Sequence, residues 1–138
     1  MIKRIALFFV CIIAVVGATF TTRTPVFIKY SNDFELYINS RSSMAKIINV
    51  DYMNFYFCKN VYGESVEINA DSFNLQDFLD DFNATILFTE KIQGGVSYYA
   101  YSPKIKYQKT LNGKRVNLQV VQKESFVKAG APLIFGSF

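Results

Sequence analysis

The chain has 138 residues, a formal net charge of +4 at pH 7 and two cysteines, and it contains neither histidine nor tryptophan. This length holds one domain rather than two. The absence of histidine excludes Ser-His and Cys-His nucleophiles and removes the commonest general base and the commonest zinc ligand. We therefore expect a protein that is not an enzyme, with no catalytic residues, no metal and no cofactor.

The first eighteen residues have the pattern of an export signal. Lys3 and Arg4 form a positive start, and residues 5–18 are an uncharged apolar run. Val16 and Ala18 fit the small-residue rule of a signal-peptidase site, which predicts cleavage after Ala18. The run is shorter than the roughly 20 residues of a membrane-spanning helix. The alternatives to cleavage are an uncleaved N-terminal anchor and a buried core helix.

Export would place the rest of the chain outside the cytoplasm, secreted or anchored on the extracytoplasmic side of the membrane. The sequence then divides into a signal peptide or membrane anchor at residues 1–18, a polar linker at 19–25 and a single domain at 26–138. Cleavage would leave 13 of the 15 basic residues against 11 acidic ones. Cys58 would be the remaining cysteine, so an intrachain disulfide is excluded. Its apolar neighbours favour a buried structural thiol over a reactive one.

The first half of the domain is predicted to contain strands. Alternating apolar residues predict a strand at 34–38, where Phe34 and Leu36 lie on one face. Apolar runs predict further strands at 54–58 and 61–69. The apolar residues at 44–50 fit either a strand or a short helix.

The main helix is predicted over residues 75–82. Asn74 is a good N-cap, and the apolar residues recur at the spacing of one buried stripe. The stripe consists of Leu75, Phe78, Leu79 and Phe82. Asp77, Asp80 and Asp81 fall on the opposite side, where we expect a solvated surface rather than catalytic or metal-binding carboxylates.

From Thr85 onward the pattern predicts antiparallel strands. Gly94-Gly95 and Asn112-Gly113 predict the turns of two hairpins, and residues 133–138 predict a last strand after Pro132. The register of both turns separates an apolar side, which the helix can cover, from a polar, basic and open side. The apolar side is predicted to hold Ile86, Phe88, Ile92, Tyr99, Tyr101, Ile105, Tyr107, Leu118 and Val120. The polar side is predicted to hold Lys91, Tyr98, Ser102, Lys104, Lys106, Asn117 and Gln119. The fold class is therefore α+β, an antiparallel sheet with one main helix packed on one face and an N-terminal hydrophobic signal helix before it.

Several short motifs carry a family resemblance over roughly the last half of the chain. They are Gly63-Glu64-Ser65, Phe82-Asn83-Ala84, Tyr98-Tyr99-Ala100-Tyr101-Ser102-Pro103, Asn112-Gly113-Lys114, Val116-Asn117-Leu118-Gln119 and Gly130-Ala131-Pro132-Leu133-Ile134. With them the chain resembles the C-terminal part of the YwmB family, small exported proteins of Gram-positive, Bacillus- and Clostridium-type bacteria with no assigned activity. The resemblance implies a TATA-box-binding-like fold, a curved antiparallel sheet backed by helix, and it implies no DNA binding. The N-terminal half departs from the family.

The charges of the domain are segregated along the chain. Residues 19–90 hold 5 basic and 10 acidic residues, whereas residues 91–138 hold 8 basic and 1 acidic. An open basic face would suit an anionic cell-wall polymer or a membrane surface, but export argues against nucleic acid as a partner. Alternatively, the two halves interleave and the opposite charges are simply neighbours. The predicted binding residues are Lys91, Tyr98, Lys104, Lys106, Asn117 and Gln119.

The sequence thus predicts a non-catalytic cell-envelope protein that binds an anionic envelope component through its sheet. The alternative is a protein–protein interaction or assembly module. In that case the C-terminal strand at residues 133–138 would form a sheet edge and pair with another envelope protein.

Overall fold

The computed structural model describes residues 3–6 and 23–138. Residues 3–6 are helical, and the remainder of the predicted signal or anchor lies outside the described residues. Within the described ranges, no helix is both long enough and apolar enough to span a bilayer.

The described chain is built around a seven-stranded antiparallel sheet with the strand order β2-β1-β3-β9-β8-β5-β4. A separate two-stranded hairpin pairs β6 with β7. Strands β2 and β4 form the two edges of the main sheet, and β9 lies inside it between β3 and β8. The strands are β1 (Asp33–Ile38), β2 (Lys46–Asp51), β3 (Val61–Ile68), β4 (Thr85–Ile92), β5 (Gly95–Tyr101), β6 (Lys109–Leu111), β7 (Lys114–Val116), β8 (Leu118–Lys123) and β9 (Val127–Ala131).

The helices are short, and one of them packs on the sheet. They are α1 (Tyr52–Phe55), a 3-10 turn (Ala70–Ser72) and α2 (Leu75–Asp81). Asn74 caps α2 as predicted, because its side-chain oxygen accepts a hydrogen bond from the backbone nitrogen of Asp77. Phe78 and Leu79 are buried in the core. The α+β class and the antiparallel sheet are therefore confirmed.

The hydrophobic core lies between α2 and one face of the sheet. Phe27, in the turn before β1, is fully buried and stacks on Phe78 with ring centroids 6.3 Å apart. Alternate residues of four strands complete the core, as the period of a pleated strand requires. They are Phe34, Leu36, Val66, Ile68, Leu118, Val120, Val127 and Ala129.

The predicted partition of the last strands is wrong in part. Leu118 and Val120 face the helix as expected, but their partners on β5 are Ala100 and Tyr98, so Tyr98 packs toward the core. Tyr99 pairs with Gln119 on the opposite face. The prediction carried the alternation through Pro103, whereas the chain turns there and β8 pairs with β5 directly. The side-chain alternation does not persist through such a turn.

The opposite face of the sheet is not open at Gln119, which is 3% exposed. The C-terminal segment covers it, because the side-chain oxygen of Gln119 accepts a hydrogen bond from the backbone nitrogen of Ile134 at 2.9 Å. The hydroxyl of Tyr37 likewise accepts one from the backbone nitrogen of Phe135 at 3.2 Å. The predicted strand at 133–138 is therefore wrong. Side chains take the hydrogen bonds that a strand ladder would need, and the last strand is β9.

Two other local predictions differ from the structure. Residues 54–58 are not a strand, because Asp51 caps α1 by accepting a hydrogen bond from the backbone nitrogen of Asn54 at 2.7 Å. The first hairpin turns at residues 93–94, since Ile92 pairs with Gly95. The second hairpin turns at Asn112-Gly113 as predicted, with both residues at positive φ.

Candidate functional site

A groove with a volume of about 850 Å³ opens at one end of the sheet. Its walls come from four parts of the chain that are distant in sequence. They are the segment before the Phe27 turn (residues 23–26), the start of β3 (60–62), the end of α2 with Phe82 (81–82) and the loop after β5 (104–108). Arg41 and Pro132 complete the lining. The volume lies within the roughly 300 to 1,000 Å³ of ligand pockets in proteins.

The lining of the groove is strongly basic. Four of the lining residues are basic and one is acidic, and three of the four basic residues are exposed. Because the wall of a concave site focuses the potential of its charges, this arrangement favours an anion. The basic residues are Arg23, Arg41, Lys104 and Lys106, and the acidic residue is Asp81.

Arg23 and Arg41 each lie over a tyrosine ring. The guanidinium of Arg23 is 5.7 Å from the ring centroid of Tyr107, donates a hydrogen bond to the Tyr107 hydroxyl at 3.3 Å and donates a second to the carbonyl oxygen of Val61. The guanidinium of Arg41 is 5.4 Å from the ring centroid of Tyr62. Cation–π contacts of this kind hold a cation at a defined place on the wall.

Lys104 and Lys106 are carried by a loop that Asn117 holds in place. The side-chain oxygen of Asn117 accepts a hydrogen bond from the backbone nitrogen of Ser102 at 2.7 Å. Its side-chain nitrogen donates to the carbonyl oxygens of Ser102 at 2.6 Å and Ile105 at 3.0 Å. Asn117 is 1% exposed, so these bonds are protected from water. Its role is to position the loop.

A buried carboxyl group, that of Glu64, lies behind the wall of the groove. Its Oε1 accepts hydrogen bonds from the backbone nitrogens of Val26 at 2.5 Å and Phe27 at 3.3 Å, and Tyr107 donates to its Oε2 at 3.5 Å. Burial raises the pKa of Glu64 to about 7, against the opposing effect of these donors and of the nearby Arg23. Through these hydrogen bonds, Glu64 connects residues 26–27 to Tyr107 in the wall of the groove.

The charge of Asp81, the acidic residue of the lining, is already matched by neighbours. Its carboxylate accepts a hydrogen bond from Lys29 at 2.5 Å and another from the Tyr30 hydroxyl. The Lys29 ammonium and the Tyr30 hydroxyl hold the pKa of Asp81 below its usual range. Lys104 reaches the same residue by donating to the carbonyl oxygen of Asp81 at 2.8 Å. Asp81 therefore does little to neutralise Arg41 and Lys106.

The structure separates the six predicted binding residues. Lys104 and Lys106 line the groove, and Asn117 lies behind their loop. Gln119 is buried on the opposite face of the sheet, where its side-chain nitrogen donates to the Ser97 hydroxyl at 2.9 Å. Lys91 is exposed on the edge strand β4, and Tyr98 packs against the core. The six residues do not share one open face.

Sequence reasoning missed half of the basic residues in the groove. Arg23 lies in the predicted linker, and Arg41 lies in the acidic half of the chain, between the predicted strand at 34–38 and the segment at 44–50. Tyr62 and Tyr107 were assigned only to strands. No local pattern brings these residues together, because the groove forms where segments that are distant in sequence meet. Charge counts along the sequence do not show which charged residues come together in space.

The groups that line the groove are suited to binding an anion. Guanidinium and ammonium groups bind phosphate, sulfate or carboxylate groups. Among residues 3–6 and 23–138, no group of three or more Cys, Asp or Glu is placed to hold a metal ion. Cys58 is half-buried outside the groove, and burial raises the pKa of its thiol, which disfavours the reactive thiolate.

No family model, no curated protein and no solved structure matches the chain. The resemblance to the YwmB family stays a prediction from short motifs.

Proposed function

We propose that this protein is an exported, non-catalytic binding module of the cell envelope, with residues 1–18 as its signal or anchor. It takes an anionic envelope component in the basic groove. The observation that carries the proposal is the lining of the groove, in which Arg23, Arg41, Lys104 and Lys106 stand against a single carboxylate that is already paired.

Two of the four cations supply most of the attraction for a ligand. Arg41 and Lys106 are exposed, and within residues 23–138 neither forms an ion pair with a carboxylate. Arg23 and Lys104 are engaged with backbone carbonyl oxygens and serve to shape the wall. An incoming anion would therefore replace water around Arg41 and Lys106 without first breaking a salt bridge. Exposed charges of this kind are screened over about 8 Å at physiological ionic strength, so binding should weaken as salt rises.

The test is adsorption of the full chain to purified cell wall and to a soluble poly(glycerol phosphate) over a range of salt concentrations. Arg41→Glu combined with Lys106→Glu should lower the affinity about tenfold or more, because each basic residue near an anionic surface contributes about 1 kcal/mol. Lys46→Glu combined with Lys91→Glu is the matched control. It changes the net charge equally but at the two sheet edges, and it should leave the affinity within about twofold.

Equal losses in the two double variants would show that net charge acts without the groove. Binding that does not change with salt would also contradict the proposal.

An assembly role is the second proposal, and its surface has to be an edge of the sheet. Within the described sheet, the edges are β2 and β4, each with an isoleucine exposed: Ile47 (39% exposed) and Ile86 (37%). Unpaired backbone groups on such strands can pair with a partner strand. Sedimentation of Ile47→Lys and Ile86→Lys variants separates the proposals. Loss of a complex with the groove affinity intact favours assembly.

A further inference from the structure

The N-terminal side of the domain is fastened at the mouth of the groove. Arg23 donates hydrogen bonds to the Val61 carbonyl oxygen and to the Tyr107 hydroxyl. Three and four residues later, the backbone nitrogens of Val26 and Phe27 donate to the buried Glu64. The side chain of Phe27 is fully buried. The point at which the chain enters the domain is therefore part of the groove wall.

The apolar run ends close to this point in sequence. Ala18 is the last residue of the run, and Arg23 follows it by five residues. A fully extended chain advances at most about 3.6 Å per residue, so the five residues from Ala18 to Arg23 can span no more than about 18 Å. If residues 5–18 are embedded in a bilayer as an anchor, the groove is held within that distance of the headgroups.

From this connection we propose that the groove binds phosphodiester headgroups of anionic phospholipids in the membrane that the N-terminal run enters. The inference rests on the proposed function with residues 1–18 retained as an anchor rather than cleaved, and it names the ligand and its source. Arg41 and Lys106 provide the exposed cations, and the tyrosine rings of the wall fix the position of the arginines. A phosphodiester carries one negative charge and accepts the parallel hydrogen bonds of a guanidinium.

The short connection is what favours a lipid over a soluble polymer with the same phosphodiester chemistry. A ligand confined near a tethered site is present at an effective concentration of about millimolar, so even a weak site is occupied. The basic residues of the groove gain further attraction from the negative surface potential of an anionic leaflet. A wall polymer lacks this enforced proximity.

The experiment uses the full chain in vesicles of phosphatidylcholine that contain a photoactivatable headgroup analogue of phosphatidylglycerol. Crosslinked residues are mapped by mass spectrometry. The proposal expects crosslinks at residues 23–26 and 104–108. It also expects a loss of about tenfold in these crosslinks for Arg41→Glu with Lys106→Glu, in line with the charge contribution near a membrane. Lys46→Glu with Lys91→Glu should crosslink as the unmodified chain does. Circular dichroism of each variant in the same vesicles verifies folding.

The outcomes separate this proposal from the proposed function. Crosslinks that avoid the groove, or that persist after charge reversal at Arg41 and Lys106, overturn the lipid proposal. If soluble poly(glycerol phosphate) still binds the unmodified chain and not the groove variant, the anion-binding function stands with a different source of phosphodiester. If neither ligand depends on the groove, both proposals fall.

Discussion

Glu64 is a buried acid that is hydrogen-bonded to the wall of the groove. It is 0% exposed and accepts two backbone hydrogen bonds from the segment that enters the domain. Burial raises its pKa to about 7 from an ordinary value of 4.5. In the native state the group therefore keeps its proton at pH values where the unfolded chain has lost it.

The pKa of Glu64 predicts a pH dependence of stability with a definite sign. Between pH 4.5 and 7 the native state binds more protons than the unfolded state, so the free energy of unfolding falls as pH rises through this window. The shift corresponds to about 3 kcal/mol. Glu64→Gln cannot ionise and should flatten this decline in urea unfolding measured at pH 5 to 8.

Asp81 cannot cause the decline in stability that is predicted for Glu64. Its pKa is lowered in the native state, so any slope that it adds at the acid end of the window has the opposite sign, with stability rising as pH rises. An equally steep decline in Glu64→Gln and in the unmodified protein would show that another group titrates.

Asn117 and Gln119 provide a matched pair, because each makes three side-chain hydrogen bonds but only Asn117 bonds to the loop that lines the groove. Asn117→Ala should destabilise the protein by about 2 to 3 kcal/mol, since it leaves buried backbone groups of Ser102 and Ile105 unpaired. It should also weaken groove binding about fivefold through disorder of the loop that carries Lys104 and Lys106. Urea unfolding and the poly(glycerol phosphate) affinity are measured together.

Gln119→Ala is the control for Asn117→Ala. It removes the contacts to Ser97 and to the backbone of Ile134, so it should lower stability comparably and leave the groove affinity unchanged. A parallel loss of affinity in both variants would mean that binding follows stability rather than loop position.

At the scale of elements, α2 owes its place to the face that it buries. Phe78 is 1% exposed and packs against the rings of Phe27 and Phe82 at centroid distances of 6.3 and 5.0 Å. Phe78→Ala should cost about 3 to 5 kcal/mol in the free energy of unfolding. Gln76→Ala removes only an exposed hydrogen bond to Asp80 and should stay within about 0.5 kcal/mol. Chemical denaturation measures both, and similar costs would contradict the packing of α2 described here.

The elements with strong local signals could be predicted from the sequence. Asn74 marks the start of α2 because its side chain caps the first turn of the helix. Asn112-Gly113 marks a hairpin because both residues can adopt the positive φ that the turn requires. The apolar run at residues 54–58 predicts a strand, although Asp51, three residues before Asn54, is the N-cap of a helix. In that case the local cap outweighed the apolar pattern.

Strand partners depend on the whole chain and could not be predicted from turns alone. The turns predict an open surface at Gln119, but Gln119 is buried beneath the C-terminal segment. The backbone nitrogen of Ile134 in that segment donates a hydrogen bond to its side chain. No residue near Gln119 in the sequence indicates that the C-terminal segment covers it. The groove has the same origin, since Arg41 and Lys106 line it together only because the connection between β1 and β2 and the loop after β5 lie at the same side of the fold.

At the scale of the whole molecule, the charges that are segregated in the sequence are arranged in two ways in the fold. Some meet as neighbours, as in the ion pair of Lys128 on β9 with Glu35 on β1 at 2.8 Å. Others collect in the groove, where Arg23 and Arg41 come from the acidic half of the chain and Lys104 and Lys106 from the basic half. The interleaved sheet therefore neutralises part of the charge and concentrates cations at one end.

The most direct test of the groove is a map of backbone amide NMR shifts while the full chain, in zwitterionic micelles, is titrated with poly(glycerol phosphate). The account predicts that the largest shifts fall on residues 23–26, 41, 60–62 and 104–108, and that they vanish in Arg41→Glu with Lys106→Glu. Shifts centred on β4 around Lys91, or spread evenly over exposed lysines, would contradict it.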